Sequence, residues 1–368
     1  MAQKVTVLIG RFSPVHNGHN QLFKHALRNA DRVVILVGSS GQARTIRNPF
    51  TFAEREFMIE QSLSTSDHDK VHICPLLDLP YNDSMWIESV QKKVADCVGT
   101  SNVEITLTGC DKDESTWYLR SFPQWKTDFL PEYRELSAKV NATTVRDLLF
   151  SNGEESVIAS MIPTSTLEFI EQFKKTSNFA TLQKEYEVNK KYRDSWALAP
   201  YPPTFVTSDA VVIQSGHVLV VERGSYPGKG LWALPGGFLN QNERFQTGAV
   251  RELMEETGIS MANGKRKDEL TKVILTASIQ DKEIFDHPAR SDRGRTITVA
   301  FLLRLDDTKP LPLVSGQNAP LEDTGGEVQV ETAKAFWIPI SEALAKTDQW
   351  FEDHHSILLW ASSKIGSR

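Results

Sequence analysis

Four continuous apolar runs, separated by segments of helical period, constrain this chain most. "KVTVLIG" (4–10), "RVVILVGSS" (32–40), "KVHICPLLD" (70–78) and "VEITLTG" (103–109) are rich in β-branched side chains, and the second is unbroken by any polar residue from Val33 to Val37, unlike a strand wetted on one face. Between them, residues 18–30 place Leu22, Phe23, Ala26, Leu27 and Ala30 on one helical stripe. "TFAEREFMIEQSL" (51–63) opens with Thr51 as N-cap and Glu54 three residues on, a capping box. "SMWIESVQKKVADCV" (84–98) continues the alternation. Strands buried on both faces and joined by helices imply a parallel, doubly wound α/β sheet of Rossmann-like type. Ligands of such sheets gather beyond the strand C-termini, where the strand order reverses. Each run here ends in a small or polar loop: Gly10-Arg11, Gly38-Ser39-Ser40, Asp78 and Gly109.

The pattern breaks at "WALAPYPPTFVTSD" (196–209), where Pro200, Pro202 and Pro203 can continue neither a helix nor a central strand. Residues 164–192 read as closing helices. A chain of 368 residues is too long for one small core. The expected organisation is a first domain at 1–183, a stiff Pro-containing linker at 184–203 and a second domain at 204–368. "AVVIQSGHVLVVERG" (210–224) reads as two strands around a Ser215-Gly216 turn. "TKVILTASIQD" (271–281), "RTITVAFLLRLD" (295–306) and "AKAFWIPISEAL" (333–344) add strands, the last running into a helix. One strong helix is expected near 246–257 and another near the C-terminus. This is an α/β/α sandwich, not a second doubly wound sheet.

Charge and cysteine usage exclude several classes of function. The net charge of −6, with no Lys/Arg block, weighs against a nucleic-acid partner. Cys74, Cys97 and Cys110 have no C-x-x-C spacing and read as reduced thiols, not as a disulfide frame or a zinc site. The first residues run straight into a strand without a signal-peptide pattern, and no apolar run nears the ~20 residues that span a bilayer. A cytoplasmic protein without membrane attachment is expected; homo-oligomerisation is left open.

Two stretches carry chemistry. Gly10-Arg11-Phe12-Ser13-Pro14-Val15-His16-Asn17-Gly18-His19 fits G-x-F-x-P-x-H-x-G-H, between a strand and an amphipathic helix. Gly18 lets the backbone come close to a bulky anion, and helix N-terminal amides point at it. His16 and His19, at i and i+3, share a face and can donate to phosphoryl oxygens as charge builds; Arg11 adds a cationic fork. No side chain here is an obvious nucleophile, which suits in-line nucleotidyl transfer governed by positioning and charge stabilisation. A bare H-x-G-H reads equally well as two surface histidines; the preceding Gly-x-Phe-x-Pro and the flanking strand and helix weigh against that.

In the second stretch, Gly237-x5-Glu243-x7-Arg251-Glu252-Leu253-x-Glu255-Glu256-x-Gly258-Ile259 follows "LPGG". On a helix, Glu252, Glu255 and Glu256 share one face and would repel one another without a cation. Hard oxygen ligands call for Mg²⁺ or Mn²⁺, which would neutralise a diphosphate and activate a water. Ala249, Val250, Leu253 and Met254 fall on the opposite, buried face. Arg251 reaches toward Glu243 or Glu255, and Gly258 stops the helix with positive φ. "RELMEE" alone would read as a solvated acidic face; the complete pattern does not.

On these residues the first motif resembles the H-x-G-H nucleotidyltransferase superfamily, and three further stretches narrow the likeness to nicotinamide mononucleotide adenylyltransferases of archaeal type. "RNPFTFAER" (47–55) resembles the segment lining the mononucleotide side, which puts Arg47, Asn48 and Arg55 there. "DLPYNDSMW" (78–86) resembles the loop that gives an Asn and a Trp to the nicotinamide ring, here Asn82 and Trp86. "NATTVRDLL" (141–149) resembles S-x-T-x-x-R, in which Thr143 and Arg146 would hold ATP phosphates; Asn141 replaces the usual Ser and Ala142 a common Gly. A cap survives Ser-to-Asn exchange, a hydroxyl contact to phosphate does not. Gly10, Phe12, Gly18 and Gly109 are implied to line the substrate. The likeness covers nearly all of residues 1–175.

The second motif is similar to the Nudix box, over residues 204–345, and "FDHPARSDRGRTITVAF" (285–301) resembles the subset acting on ADP-ribose. The resemblance implies Glu252, Glu255, Glu256 and the Gly237 backbone at the metal, and Arg223, Arg290 and Arg295, with Arg293 beside them, at phosphate or ribose. A distant glutamate assists as base in many relatives; Glu327 and Glu331 are both candidates.

Together the resemblances imply a two-activity enzyme. One half would join ATP and nicotinamide mononucleotide into NAD and pyrophosphate through His16, His19, Arg11 and Arg146. The other would hydrolyse ADP-ribose to AMP and ribose 5-phosphate, with Mg²⁺ or Mn²⁺ at both sites. The two reactions share no intermediate to channel. Transfer to phosphopantetheine or glycerol phosphate is the rival within the class, and "NPFT" with the Trp86 loop speaks against it. A regulator that only binds ADP-ribose or NAD is the rival outside it; the complete carboxylate set and the short acidic tail (341–368) speak against that.

Overall fold

The computed structural model describes residues 2–99, 102–109, 114–129, 140–314 and 332–365. The chain divides into two compact units, Met1–Tyr186 and Glu187–Arg368. In the first, β1 (Gln3–Gly10), α1 (Asn17–Asn29), β2 (Arg32–Val37), α2 (Phe52–Glu60), β3 (Val71–Pro75), α3 (Asp83–Val98) and β4 (Val103–Gly109) alternate as the apolar runs demand. A short β5 (Lys126–Phe129), which the sequence did not announce, completes a parallel sheet ordered β3-β2-β1-β4-β5. Its run, "KTDF", is too short and polar to stand out; pairing with β4 makes it a strand.

The runs are continuous because each strand feeds two cores. In β2, Val33, Ile35 and Val37 face one cluster with Leu8, Phe23, Met58 and Val145. Val34 and Leu36 face the other with Val5, Val7, Val90, Val94 and Leu107. Each such fully buried Val, Leu or Ile contributes about 1.5–3 kcal/mol, so a polar residue at any of these positions would be costly. The strand order reverses between β1 and β4, which sets the C-terminal ends of these two strands, Gly10 and Gly109, at the switch point.

Helices α4 (Ala142–Phe150), α5 (Glu155–Met161), α6 (Thr164–Phe173) and α7 (Ser177–Ser195) follow. The segment expected as a linker from 184 is therefore helical as far as Ser195. Nothing in "KEYEVNKKYRDS" breaks a helix, and the three prolines act only beyond it.

In the second unit, β6 (Phe205–Gln214) and β7 (His217–Arg223) pair around Ser215 and Gly216, with φ of 48° and 72°. Then come β8 (Trp232–Ala233), β9 (Gly236–Phe238), α8 (Phe245–Thr257), α9 (Lys267–Ala277), β10 (Ile279–Phe285), β11 (Thr296–Arg304), β12 (Thr332–Pro339), α10 (Ile340–Ala345) and α11 (His354–Ile365). The mixed sheet runs β10-β11-β6-β7-β12, with β8 on β7 and β9 on β6. The strand expected over 271–281 is a correction: residues 267–277 form a helix, with Thr271 and Leu275 buried, and the strand starts at Ile279. A short apolar run such as "VIL" does not distinguish strand from helix, and Asp268 and Glu269 in the first turn favour the helix through its dipole. Among the described residues no helix is long and apolar enough to cross a membrane.

Candidate active sites

The first site grows out of the β1–α1 turn. His16 is the N-cap of α1, and its Nδ1 accepts the backbone N–H of His19 at 3.3 Å, while His19 Nδ1 accepts the backbone N–H of His16 at 3.2 Å. This is a capping box made by two imidazoles. Because both Nδ1 atoms accept, each ring carries its proton on Nε2 in the neutral form, so that Nε2 is the donating end. The rings stack with centroids 3.5 Å apart. Phe12, at φ 50°, is buried, with its ring 4.9 Å from that of His19 and 5.5 Å from that of Phe23. Its ring supports the imidazole from below. Gly10 leaves room for it: a Cβ there would come within 2.8 Å of the Phe12 ring.

Two arginines serve as struts. Arg55 on α2 is 1% exposed. It donates to the carbonyls of Arg11 at 2.9 Å, Gly38 at 2.6 Å and Ser39 at 3.1 Å. Burial, partly countered by the charge of Asp78, pulls it down to about 10. It ties together the loops after β1 and β2 and has no face for a mononucleotide, which corrects its expected role. Arg146 on α4 is also buried; its guanidinium donates to Ser13 O at 2.7 Å and to Thr143 Oγ1 at 3.2 Å. It joins α4 to the histidine loop, and Thr143 sits beside it. Asn141 caps α4, accepting from Thr144 N at 2.9 Å, so the exchange of Ser for Asn keeps the cap.

Asn82 caps α3 through Oδ1, accepting from Met85 N at 3.1 Å, which leaves its amide nitrogen for a ligand's carbonyl. Trp86, one turn on, is half-buried among Trp117, Tyr118 and Phe122. Arg11 is exposed beside Gly38, Arg47 is half-buried, Gly18 is buried in the first turn of α1, and Gly109 ends β4 against Leu119. Ser13 Oγ, Asn20 Oδ1 and Asn48 Oδ1 are buried without a hydrogen-bond partner among the described residues. Two of these flank the histidines and the third lies in the "NPFT" loop, which suits a polar ligand.

Sequence reasoning missed the roles of two residues here. Asp78 accepts from Ser39 N at 2.9 Å and from Ser39 Oγ at 2.5 Å, holding that residue at φ 51°. Arg44 pairs with Glu54 and donates to Pro49 O at 2.6 Å, fixing the "NPFT" loop. Only a strand-end position pointed to Asp78, and nothing in "GQART" marked Arg44.

The second site is a carboxylate ridge on α8. Arg251 donates to Glu243 at 3.0 and 2.9 Å, Glu252 at 2.8 Å, Glu255 at 2.9 Å and Phe238 O at 3.1 Å. The alternatives Glu243 and Glu255 are thus both engaged, with Glu252 as a third partner. These bonds, to Glu243 first, push the guanidinium's pKa up, and the same bond holds Glu243 below the usual carboxylate range. Glu256 is buried and accepts from Gly236 N at 2.9 Å and from Thr332 Oγ1 at 3.2 Å. Gly237 lies against Glu252, where a Cβ would be 2.5 Å from the carboxylate and would displace it. Gly258 ends the helix at φ 60°, as its place in the box requires.

Among the described residues no three His, Cys, Asp or Glu side chains already stand in metal-holding geometry. The donor set nevertheless fits a divalent ion. Three hard carboxylates share one ridge, two of them buried, with a backbone cradle at Gly237. Arg251 supplies the positive charge that separates them.

Arg290 corrects another expectation. Its guanidinium pairs with both oxygens of Asp353 at 2.9 and 2.8 Å and is buried. Burial alone would lower its pKa; Asp353 outweighs that and raises it. It is a strut of the fold, facing inward. Arg223 donates to Pro227 O at 2.8 Å and stacks over Phe351 at 4.1 Å, and Arg295 donates to Asp286 O. Arg293 lies over Phe238 at 5.3 Å. Glu327 and Glu331 lie outside the described residues. Sequence reasoning missed the buried groups behind the ridge: Asp209, Asp353, His354 and Thr332. Asp209, a lone carboxylate in an apolar strand run, was the one visible signal.

Two family models match the chain: "Cytidylyltransferase-like" over residues 7–141 and "NUDIX domain" over residues 204–360. A nicotinamide/nicotinic acid mononucleotide adenylyltransferase of Acinetobacter baylyi is 34% identical over 180 residues, 49% of this chain and 92% of that protein. The crystal structure of a bifunctional NMN adenylyltransferase/ADP ribose pyrophosphatase from Francisella tularensis is 32% identical, with TM-score 0.85, over 99% of this chain and 100% of that one. A second crystal structure of that Francisella protein, complexed with AMP and a Mn ion, matches with TM-score 0.84.

Proposed function

Since the chain belongs to the family of bifunctional NMN adenylyltransferases/ADP-ribose pyrophosphatases, we infer that its first half joins ATP and nicotinamide mononucleotide into NAD and pyrophosphate, and that its second half hydrolyses ADP-ribose to AMP and ribose 5-phosphate. The substrates are small-molecule nucleotides, and the working compartment is the cytoplasm. The coexistence in one chain of an Nδ1-locked imidazole pair at a sheet's switch point and an arginine-knit glutamate ridge carries this reading.

In the first half, His16 and His19 present Nε2–H donors to phosphoryl oxygens, and the helix N-terminus adds its amides. Arg11 supplies an exposed positive charge. Arg146 and Arg55 keep the loops in place, so that the donors are set before the substrate arrives. The amide end of Asn82 and the face of Trp86 suit the nicotinamide carboxamide and ring. In the second half, Glu252, Glu255, Glu256 and the Gly237 carbonyl would hold Mg²⁺ or Mn²⁺, and a divalent ion would also accompany the triphosphate of the first half. Bound there, the ion would neutralise the diphosphate and lower the pKa of a water.

The test is direct. The purified chain is incubated with Mg²⁺ and either ATP plus nicotinamide mononucleotide or ADP-ribose, and the products are separated by chromatography. NAD and pyrophosphate are expected from the first mixture, AMP and ribose 5-phosphate from the second. No NAD would overturn the first assignment, and intact ADP-ribose after long incubation the second.

A further inference from the structure

Two of the chain's cysteines, 23 positions apart, meet in the fold. Cys74 is the penultimate residue of β3, opposite Leu36 of β2 in the sheet register, and Cys97 lies in the last turn of α3. Their sulfurs are 3.1 Å apart, only about 1 Å more than a disulfide bond of about 2.05 Å. Both pack on the same core as Val34, Leu36, Val90 and Val94, so helix–sheet packing, not a mobile loop, holds them together. Arg32 also donates to the Cys97 carbonyl at 3.3 Å, which pins the end of the helix to β2. Both residues are only partly buried, and Cys74 is among the residues around a surface cavity of about 260 Å³ that also includes His68 and Glu60.

We propose that Cys74 and Cys97 form a reversible thiol–disulfide pair, oxidised by peroxides and reset by small dithiols. Cys74, on the edge strand of the sheet, meets the oxidant. Its thiolate attacks the peroxide O–O bond and becomes a sulfenic acid, releasing the first water. The Cys97 sulfur then displaces the hydroxyl from Cys74; the S–S bond forms and the Cys97 proton leaves with that hydroxyl as a second water. Two thiols lose two protons and two electrons, and hydrogen peroxide takes them up as two waters. A dithiol reverses the step by exchange.

Burial, reinforced by Cys74, pushes the Cys97 thiol up to about 12. Closure therefore quickens as pH rises above neutral. The bond would bracket residues 75–96, the stretch bearing Asp78, Asn82 and Trp86. Any functional consequence of that bracket rests on the reading of the first half given above; the bond itself does not.

The experiment uses the full chain, treated with graded hydrogen peroxide at pH 7 and pH 8.5, alkylated, digested without reductant and mapped by mass spectrometry. The expected product is a Cys74–Cys97 cross-linked peptide pair lacking two hydrogens, formed faster at pH 8.5 and abolished by dithiothreitol. In C97S, Cys74 is expected to accumulate instead as a dimedone-trapped sulfenic acid. Full alkylation of both thiols after oxidation, or a cross-link from either one to Cys110, would overturn the pair. The readout is a mass and needs no substrate, so its failure cannot be confused with failure of the proposed activities.

Discussion

The two sites solve opposite problems of charge. The first must keep positive and donor groups in place for an anion, and it attaches them to the backbone. Arg55 and Arg146 end on carbonyl oxygens, and the two imidazoles hold each other's main-chain amides. The second must keep carboxylates close enough to share a cation, and one side chain, Arg251, binds three of them. The contrast shows where each site is vulnerable. In the first, positioning is spread over many strand-end carbonyls, so losing a strut should loosen the unit as well as the chemistry. In the second, it converges on one helix face, so losing one carboxylate should remove the chemistry and leave the fold.

The largest effects should come from the groups nearest each reaction. Glu256→Gln is expected to lower ADP-ribose hydrolysis at least about 10²-fold while NAD synthesis stays unchanged. His19→Ala should do the reverse by a similar factor. It should also cost the first unit about 1 kcal/mol, because the imidazole completes the capping box of α1 by accepting from His16 N. Initial rates of both reactions on each variant decide the matter. If either substitution removed both activities, the two sites would not be separate.

Arg55→Met sharpens the contrast at intermediate size. It strands the carbonyls of Arg11, Gly38 and Ser39, at about 1–3 kcal/mol for each buried carbonyl that stays unpaired. Denaturant unfolding should therefore show the first unit destabilised by about 3 kcal/mol or more, with hydrolysis intact. Arg55→Lys should not rescue it, since a single ammonium cannot span three carbonyls. A variant of full stability with only a raised KM for the mononucleotide would return Arg55 to the substrate.

That residue also marks the limit of the sequence. Alternating strands and helices, the imidazole box and the glutamate spacing were legible because each is local, fixed by period or by i, i+3 and i, i+4 geometry. The partners of the arginines were not. Arg55 and Arg290 occur in motifs where a cation reads as a ligand group, yet both turn inward onto partners that the chain supplies from 16 to 63 positions away. Asp353 and His354 come from the start of α11, far from the box, and no period links them to it. The meeting of Cys74 and Cys97 is of the same kind, a product of β3 and α3 packing on one face.

The smallest effect concerns those long-range groups. His354 is buried, and its Nδ1 accepts the backbone N–H of Leu234 at 2.9 Å, just ahead of the strand that seats Glu256. Burial, reinforced by Arg290, Arg223 and Arg293 and opposed by Asp353, pulls it down to about 3 from 6.5. Between those values the unfolded chain takes up a proton that the folded one refuses, so this term of stability is lost as pH falls below about 6.5, about 2 kcal/mol by pH 5. Asp209 works the other way. Burial raises it to about 6 from 3.8, so its term is present at low pH and is lost as pH rises through 6. The wild-type curve should look nearly flat because the two oppose. His354→Asn keeps an acceptor near Leu234 but does not titrate, so it exposes the Asp209 term. Hydrogen exchange of peptides from 205–314 should show the variant gaining about 2 kcal/mol on wild type between pH 7.5 and pH 5. A gap that does not change with pH would mean that the imidazole is charged inside the fold, and that the ridge is held by something other than a neutral histidine behind its strand.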